Sequence, residues 1–473
     1  MNRSNIWIHV GIAVVVVALA AVLGQIERWK SGLKTHDTTP IKIAPKAPTI
    51  ARTSSDNEPE VMVRFRSGVS LTDIKKLAAK NNDRVEDEIE AVNGLISIDD
   101  LDNANAADVA KQYEAMSELV AYAEPVQEIR LDDPPVTSRT KYYDNGDIKS
   151  SPNDPQFAEQ WALNNTGQNG GKANAHIDAL KAWAKTQGSS EVVVAVLDTG
   201  VDYTHTDLAE NMWIRPESLP EYTDDELGTI NDLHGFDANV NASDPMDENG
   251  HGTHCSGIIG AEGDNGEGIA GINWHVKIMP LKFLGRGGFG STKDAIEAIN
   301  YAIDRKKNGV NIRVINASWG STQKSKALED AIRAAGDAGI LFVAAAGNSS
   351  TDNDKRGHFP SNYDLPNVIS VAALDRNDVL ASFSNFGAKT VHVAAPGREI
   401  LSTWLNDEYR EASGTSMAAP QVAGIAALIV ASEPKISMAK LRERILKSVD
   451  PIDGLSGKVV VGGRLNAAKA LGE

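Results

Sequence analysis

Four short strand-like stretches, residues 192–197, 277–283, 313–317 and 340–344, recur along the C-terminal part of the chain with helix-forming stretches between them, and the first and last of them are apolar throughout. A strand that is apolar at nearly every position has to be covered on both faces, and parallel strands joined by helical crossovers acquire such covers. The pattern predicts an α/β fold, a mostly parallel sheet with helices on both faces, running from Asn153 to the end of the 473-residue chain. Ligand sites of such sheets collect at the C-terminal ends of the strands. The 40 glycines suit a loop-rich enzyme whose backbone comes close to a substrate.

One strand end carries an acid. Asp198 closes the run 192–197 and opens the turn Thr199-Gly200, where an aspartate by itself reads as a turn residue. His251 opens Gly250-His251-Gly252-Thr253-His254-Cys255-Ser256-Gly257, a Gly-rich entry into an apolar helix. Ser416 lies in Gly414-Thr415-Ser416-Met417-Ala418-Ala419-Pro420, ahead of the Ala-rich helical run 422–431. A serine there is commonly a helix cap, yet free amides and the positive dipole end also favour a developing anion. A nucleophilic serine needs a base, and the base needs an orienting carboxylate. The chain has all three in the order Asp, His, Ser, which is the order found in subtilisin. Asp-Thr-Gly also marks aspartic peptidases, but these need two such carboxylates and the triplet occurs once. Ala418 replaces the last glycine of a Gly-x-Ser-x-Gly elbow, which argues against an α/β-hydrolase.

Through these three motifs, Asp198-Thr199-Gly200-Val201-Asp202 included, the chain resembles the subtilisin-like serine peptidases from about Glu60 to its end. The resemblance implies a serine endopeptidase acting on proteins or peptides, with Ser416 as nucleophile, His251 as base and Asp198 as orienting acid. Asn348, after Ala346-Gly347, would donate its amide to the oxyanion beside the Ser416 N–H. Substrate backbone would run by strand addition between Gly287 and Phe289 on one side and Ser318-Trp319-Gly320 on the other, with Ala346 and Gly347 adjoining. The loop 285–290 also matches the dinucleotide pattern Gly-x-Gly-x-x-Gly, but lacks the acid expected at the end of the next strand. Calcium is implied as a cofactor, held by Asp154, Asp207, Glu262, Asn265, Glu267 and Ile269 through side-chain and main-chain oxygens. Asp237, Asp244 and Asp247 are either a further ion site or solvated loop acids. His254 reads as structural and Cys255 as a small core residue near the catalytic histidine.

Residues 1–29 hold an apolar run, 6–23, that is either a signal peptide or an uncleaved membrane anchor. Ala18-Leu19-Ala20 has the shape of a cleavage site, whereas Trp7 and Trp29 have the positions of interfacial anchors. Either one predicts a catalytic part outside the cytoplasm: secreted, periplasmic or membrane-anchored. Residues 30–59, with Pro40, Pro45, Pro48 and Pro59, form a linker. Residues 60–131 predict a small α+β unit, with strands at 61–65, 94–98 and 126–131 and helices at 71–81 and 106–120. By resemblance this is a ferredoxin-like propeptide that acts as intramolecular inhibitor; an unrelated accessory domain is the alternative. Residues 132–152 form a charged linker and processing region, and 153–473 the catalytic domain, closing with a helix at 463–471. The insertion 213–234 has no assignment.

A net charge of −17 argues against a nucleic-acid partner. A single Cys leaves no intrachain disulfide, so stability has to come from packing or bound ions. The expectation is an exported endopeptidase made as a self-processing precursor. A catalytically silent binding protein and a maturation peptidase with one dedicated partner are the competing classes.

Overall fold

The computed structural model describes residues 60–134, 151–224 and 227–472. The run 6–23, the linker 30–59 and most of 132–152 lie outside the described residues.

The first unit follows the order β1 (Glu60–Phe65), α1 (Leu71–Lys80), β2 (Asp83–Glu88), β3 (Leu95–Asp100), α2 (Ala106–Glu114) and β4 (Val120–Pro125). Its antiparallel sheet runs β2-β3-β1-β4, the ferredoxin-like arrangement. Ser70 and Asn105 start the two helices by accepting from Asp73 N and Ala107 N. Alternation along β1 sends Val61, Val63 and Phe65 to the unit's own core with Ile74, Val109 and Tyr113, and Met62 to the other face, into a cluster shared with the rest of the chain. Three expectations are corrected here. The strand β2 had no apolar signal. The second helix ends at Glu114, not near 120. The last strand of the sheet is β4 at Val120–Pro125, not the expected 126–131, and the expected segment holds only β5 (Glu128–Arg130), which pairs elsewhere.

The larger unit, from residue 153 onward, continues with α3 (Ala179–Trp183), β6 (Gly188–Asp198), β7 (Tyr222–Asp224), β8 (Gly228–Ile230), β9 (Phe236–Asp237) and α4 (His251–Gly260). There follow β10 (His275–Lys282), β11 (Phe289–Ser291), α5 (Thr292–Lys307), β12 (Ile312–Ala317), α6 (Lys326–Asp337) and β13 (Leu341–Ala345). Next come β14 (Val368–Leu374), β15 (Val393–Pro396), β16 (Ile400–Trp404), β17 (Glu408–Ala412) and α7 (Thr415–Ser432). The last elements are α8 (Met438–Lys447), β18 (Val449–Pro451), β19 (Gly463–Leu465) and α9 (Ala467–Ala470).

The main sheet runs β18-β19-β15-β14-β13-β12-β6-β10-β9, and every neighbouring pair in it is parallel except β18 with β19 at the edge. Alternate residues of β6 divide between two cores: Val192, Val194 and Val196 meet α4 and α7, and Val193, Ala195 and Leu197 meet α5 and α6. That is why the run is apolar throughout. Of the described helices, α7 is long and apolar enough to cross a membrane, but 89% of it is buried, so its apolarity serves the core. The helix expected at 463–471 is instead the short strand β19 followed by the four-residue α9. The insertion 213–234 forms the hairpin β7–β8, pinned to α5 by Tyr301 Oη donating to Asp232 Oδ2 at 2.8 Å.

Candidate active site

Asp198 ends β6 and is fully buried. Its Oδ1 accepts from Thr199 N and from His251 Nδ1, each at 2.7 Å. His251 is the first residue of α4, turned in by Gly250 at φ +107, a left-handed conformation that favours glycine. Asp247 secures that helix start, accepting from Gly250 N and Thr253 N at 3.0 Å and from Thr253 Oγ1 at 2.7 Å. Asp237 accepts from Asn239 N at 2.9 Å, and Asp244 from Tyr203 Oη at 3.0 Å and Met246 N at 3.2 Å. These three acids are taken up by turns and a helix start.

Ser416 stands in the first turn of α7, whose cap is Gly414, so Ser416 is not the cap. Its carbonyl accepts from Ser318 Oγ at 2.8 Å and from the Cys255 thiol at 3.4 Å, and its Oγ lies 2.9 Å from the Ser318 carbonyl. Asn348 follows β13 through Gly347 at φ +102. Its Oδ1 accepts from Thr415 N at 2.8 Å and Thr415 Oγ1 at 3.0 Å, an assignment of the amide fixed by these donors. Nδ2 is thereby turned into the cleft. Thr415 is a positioning residue that sequence reasoning missed, although it lies inside the motif that drew attention to Ser416.

At the meeting point of these groups stands the carboxylate of Asp133. Its Oδ1 accepts from Ser416 Oγ at 2.8 Å and Asn348 Nδ2 at 2.6 Å, and its Oδ2 from His251 Nε2 at 2.7 Å. A Cβ on Gly414 would lie 2.4 Å from Asp133 Oδ1, so glycine is what admits this side chain. Burial disfavours a charged His251, but the carboxylates on both ring nitrogens outweigh it and hold the imidazole well above its ordinary value. The site thus gathers donors around one anionic oxygen, beside a hydroxyl and an imidazole: the requirements of acyl transfer.

The chain reaches this point as a strand. β5 pairs antiparallel with β11, Arg130 opposite Phe289 and Ile129 opposite Gly290, while Arg130 also bridges to Gly320. Leu131 N donates to Gly288 O at 2.9 Å. Of the expected substrate contacts, Phe289 and Gly320 therefore border a bound peptide segment, with Gly287 packed against the Phe289 ring and Ser318 beside Ser416. Trp319, expected at the substrate, instead has its side chain buried and donating to Leu197 O at 2.9 Å. Ala346 is buried, its carbonyl bound by Asn353 and Asn385, and Gly347 N donates to Thr415 Oγ1.

Residues 189–466 match the model of the subtilase family. The chain is a subtilase. It is 39% identical over 318 residues to the thermophilic serine proteinase of a Bacillus strain, covering 67% of this chain and 70% of that protein. It is 36% identical over 321 residues to thermitase of Thermoactinomyces vulgaris, covering 68% of this chain and 99% of that one. A solved protease from Pseudoalteromonas arctica superposes with a TM-score of 0.56 at 30% identity, over 68% of this chain and 99% of its own. This subtilase is therefore a serine endopeptidase, with protein or peptide substrates.

The expected calcium ligands of the subtilase converge. Asp207 and Asp154 are fully buried. Asp207 accepts from Asn265 Nδ2 at 2.9 Å and Ile269 N at 3.0 Å, its carbonyl from Glu262 N at 2.8 Å, and Asp154 from Asp264 N at 2.8 Å. Asn265 Oδ1 accepts from Glu267 N at 2.8 Å. Burial pushes Asp154 up to about 6 and Asp207 up to about 7, and the charge of Asp154 adds to the rise at Asp207. Two buried acids in oxygen-rich loops are a donor set of the kind a hard cation takes. His254 is buried, pushed down to about 4 by burial, and bonded through Nε2 to Ile400 O and Arg410 O. Burial pushes the Cys255 thiol up to about 12, which leaves it no thiolate for catalysis.

Proposed function

We propose that the chain is an exported endopeptidase, made as a latent precursor that cuts itself, with Ser416, His251, Asp198 and Asn348 as its catalytic set. Ser416 Oγ attacks the carbonyl carbon of the scissile bond while His251 Nε2 takes its proton, and Asp198 steadies the imidazolium from the other nitrogen. Asn348 Nδ2 and the Ser416 N–H receive the oxyanion. His251 then returns the proton to the leaving amine, and water releases the acyl group by the same route.

Residues 60–131 act as propeptide and inhibitor. The observation that carries this reading is the Asp133 carboxylate, bound at once to Ser416, His251 and Asn348. An imidazole that donates from both nitrogens has no lone pair for the Ser416 proton, which supports latency until this segment leaves. Export is supported by the apolar run 6–23, as signal peptide or anchor.

Calcium would be held by Asp154, Asp207 and Asn265 with main-chain oxygens of Glu262, Glu267 and Ile269. It would supply a structural clamp, joining the start of the domain to the loops beyond β6 and α4. Ser416→Ala tests the reading as a whole: the variant is expected to lose peptide hydrolysis and to stay uncut. Purified Ser416→Ala protein that matured unaided would refute self-cleavage.

A further inference from the structure

Asp87 in β2, Asp224 in β7 and Glu297 in α5 are buried together, away from the triad and from the expected calcium loops. Each offers a carboxylate oxygen, and these oxygens lie within 4.8 Å of one another. The three come from the N-terminal unit, the insertion hairpin and the catalytic domain, so the group forms only when all three meet. Points no more than 4.8 Å apart share a centre within about 2.8 Å of each, close to the calcium–oxygen distance of about 2.3–2.6 Å. Magnesium, at about 2.0–2.1 Å, would require a larger contraction.

A second observation points to a ligand. Glu297 is 5% exposed; its side chain bonds to that of Asp87 within the group, and its Oε1 has no hydrogen-bond partner outside it. Charge balance points the same way. Glu86, Asp87, Asp224 and Glu297 bring four carboxylates to this region, and Lys293 on α5, ion-paired with Glu86, returns one positive charge. Glu90 is bound by Asn300, and Tyr222 Oη donates to Asp224 Oδ2 at 3.2 Å. Burial, and after it the charge of Asp87, raises Glu297 well above the carboxylate range, so a proton is the group's recourse when no cation is there.

We infer that Asp87, Asp224 and Glu297 form a site for a hard divalent cation of calcium's size, which bridges the N-terminal unit to the catalytic domain. The hold of one on the other is then calcium-dependent, through an ion separate from the one at Asp207.

The test counts bound calcium by equilibrium dialysis at neutral pH on the full-length Ser416→Ala protein, in which the two parts stay joined. Glu297→Gln and Asp224→Asn, each made in that background, are close in shape to the native residues and remove charge from a crowded cluster. Each is expected to bind one calcium ion fewer per chain and to lose the terbium luminescence sensitised by Tyr222. Asp207→Ala is expected to remove a different ion, so that the losses add. An unchanged count and terbium signal in both folded variants would mean that the cluster holds only a proton, and would overturn the site whether or not the precursor cleaves itself.

Discussion

Oδ2 of Asp133 lies 2.7 Å from Nε2 of His251, the nitrogen that faces the serine in a working triad. Its Oδ1 meets Ser416 and Asn348, so one side chain engages the proposed base, nucleophile and oxyanion donor together.

Asp133→Asn keeps the size of that side chain and removes its charge. Because Asp198 and Asp133 raise the His251 value, the His251–Asp133 ion pair is intact below the raised value and loosens as pH climbs through it. Precursor maturation is expected to quicken with rising pH across that window. The Asn variant should mature faster at neutral pH, with a flatter profile. Time courses on gels across a pH series measure both, and superimposable profiles would remove Asp133 from latency.

Glu124 of the N-terminal unit reaches the start of α6, where it accepts from Lys326 N at 2.9 Å, Ala327 N at 3.0 Å and Ser325 Oγ at 2.5 Å. A carboxylate at a helix N-terminus contributes about 1–2 kcal/mol. Residues 60–131, which have a core of their own, are expected to inhibit the mature enzyme when added separately, and Glu124→Ala to weaken that inhibition about tenfold. Inhibition constants decide it. No inhibition at micromolar excess of the native unit would favour the accessory-domain reading.

Asn348→Leu removes the side-chain donor to the oxyanion. Loss of such a donor, a magnitude known from subtilisin itself, costs about 2.7–4 kcal/mol, or roughly a hundred- to a thousandfold in kcat. The loss should appear in kcat with KM little changed. Steady-state kinetics with a peptide substrate test it, and an unaltered kcat would take Asn348 out of the oxyanion role.

Calcium dependence has a pH signature. Asp154 and Asp207 rise from 3.8 to about 6 and about 7 in the folded chain, so without metal the folded state binds more protons than the unfolded one. Their contribution to stability is present below the ordinary carboxylate value and is lost as pH rises through the raised ones. Chelated Ser416→Ala protein should therefore melt lower at about pH 8 than at about pH 5, with calcium raising Tm most at the upper end. At a hundred times its Kd the ion adds about 2.7 kcal/mol. Asp207→Ala should blunt the effect; melting curves indifferent to chelator at every pH would end the calcium reading.

Asp198, His251 and Ser416 are legible because each lies in a dense motif at the end of a strand or the start of a helix, where backbone geometry leaves few alternatives. Asp133 is not. An acid pair ahead of Pro134 reads as a tether, and its placement follows from the register of β5 against β11, which local sequence does not encode. The alternation of buried Ile129 and exposed Arg130 signals a strand equally well on either sheet edge. β2 escaped notice for a different reason. Asp83, Glu86 and Asp87 meet Tyr113, Lys293 and Glu297, so this strand carries charge where periodicity looks for apolar residues. Trp319 shows the limit of motif transfer: its neighbours Ser318 and Gly320 meet Ser416 and Arg130, while its indole belongs to the core.

The central claim is that Ser416 is the nucleophile and that the precursor conceals it. A fluorophosphonate probe, followed by peptide mass spectrometry, tests both at once. A single adduct on Ser416 is expected in the mature enzyme, little or none on the intact precursor, and none after His251→Ala. An active mature enzyme whose Ser416 stays unlabelled while another residue carries the adduct would contradict it.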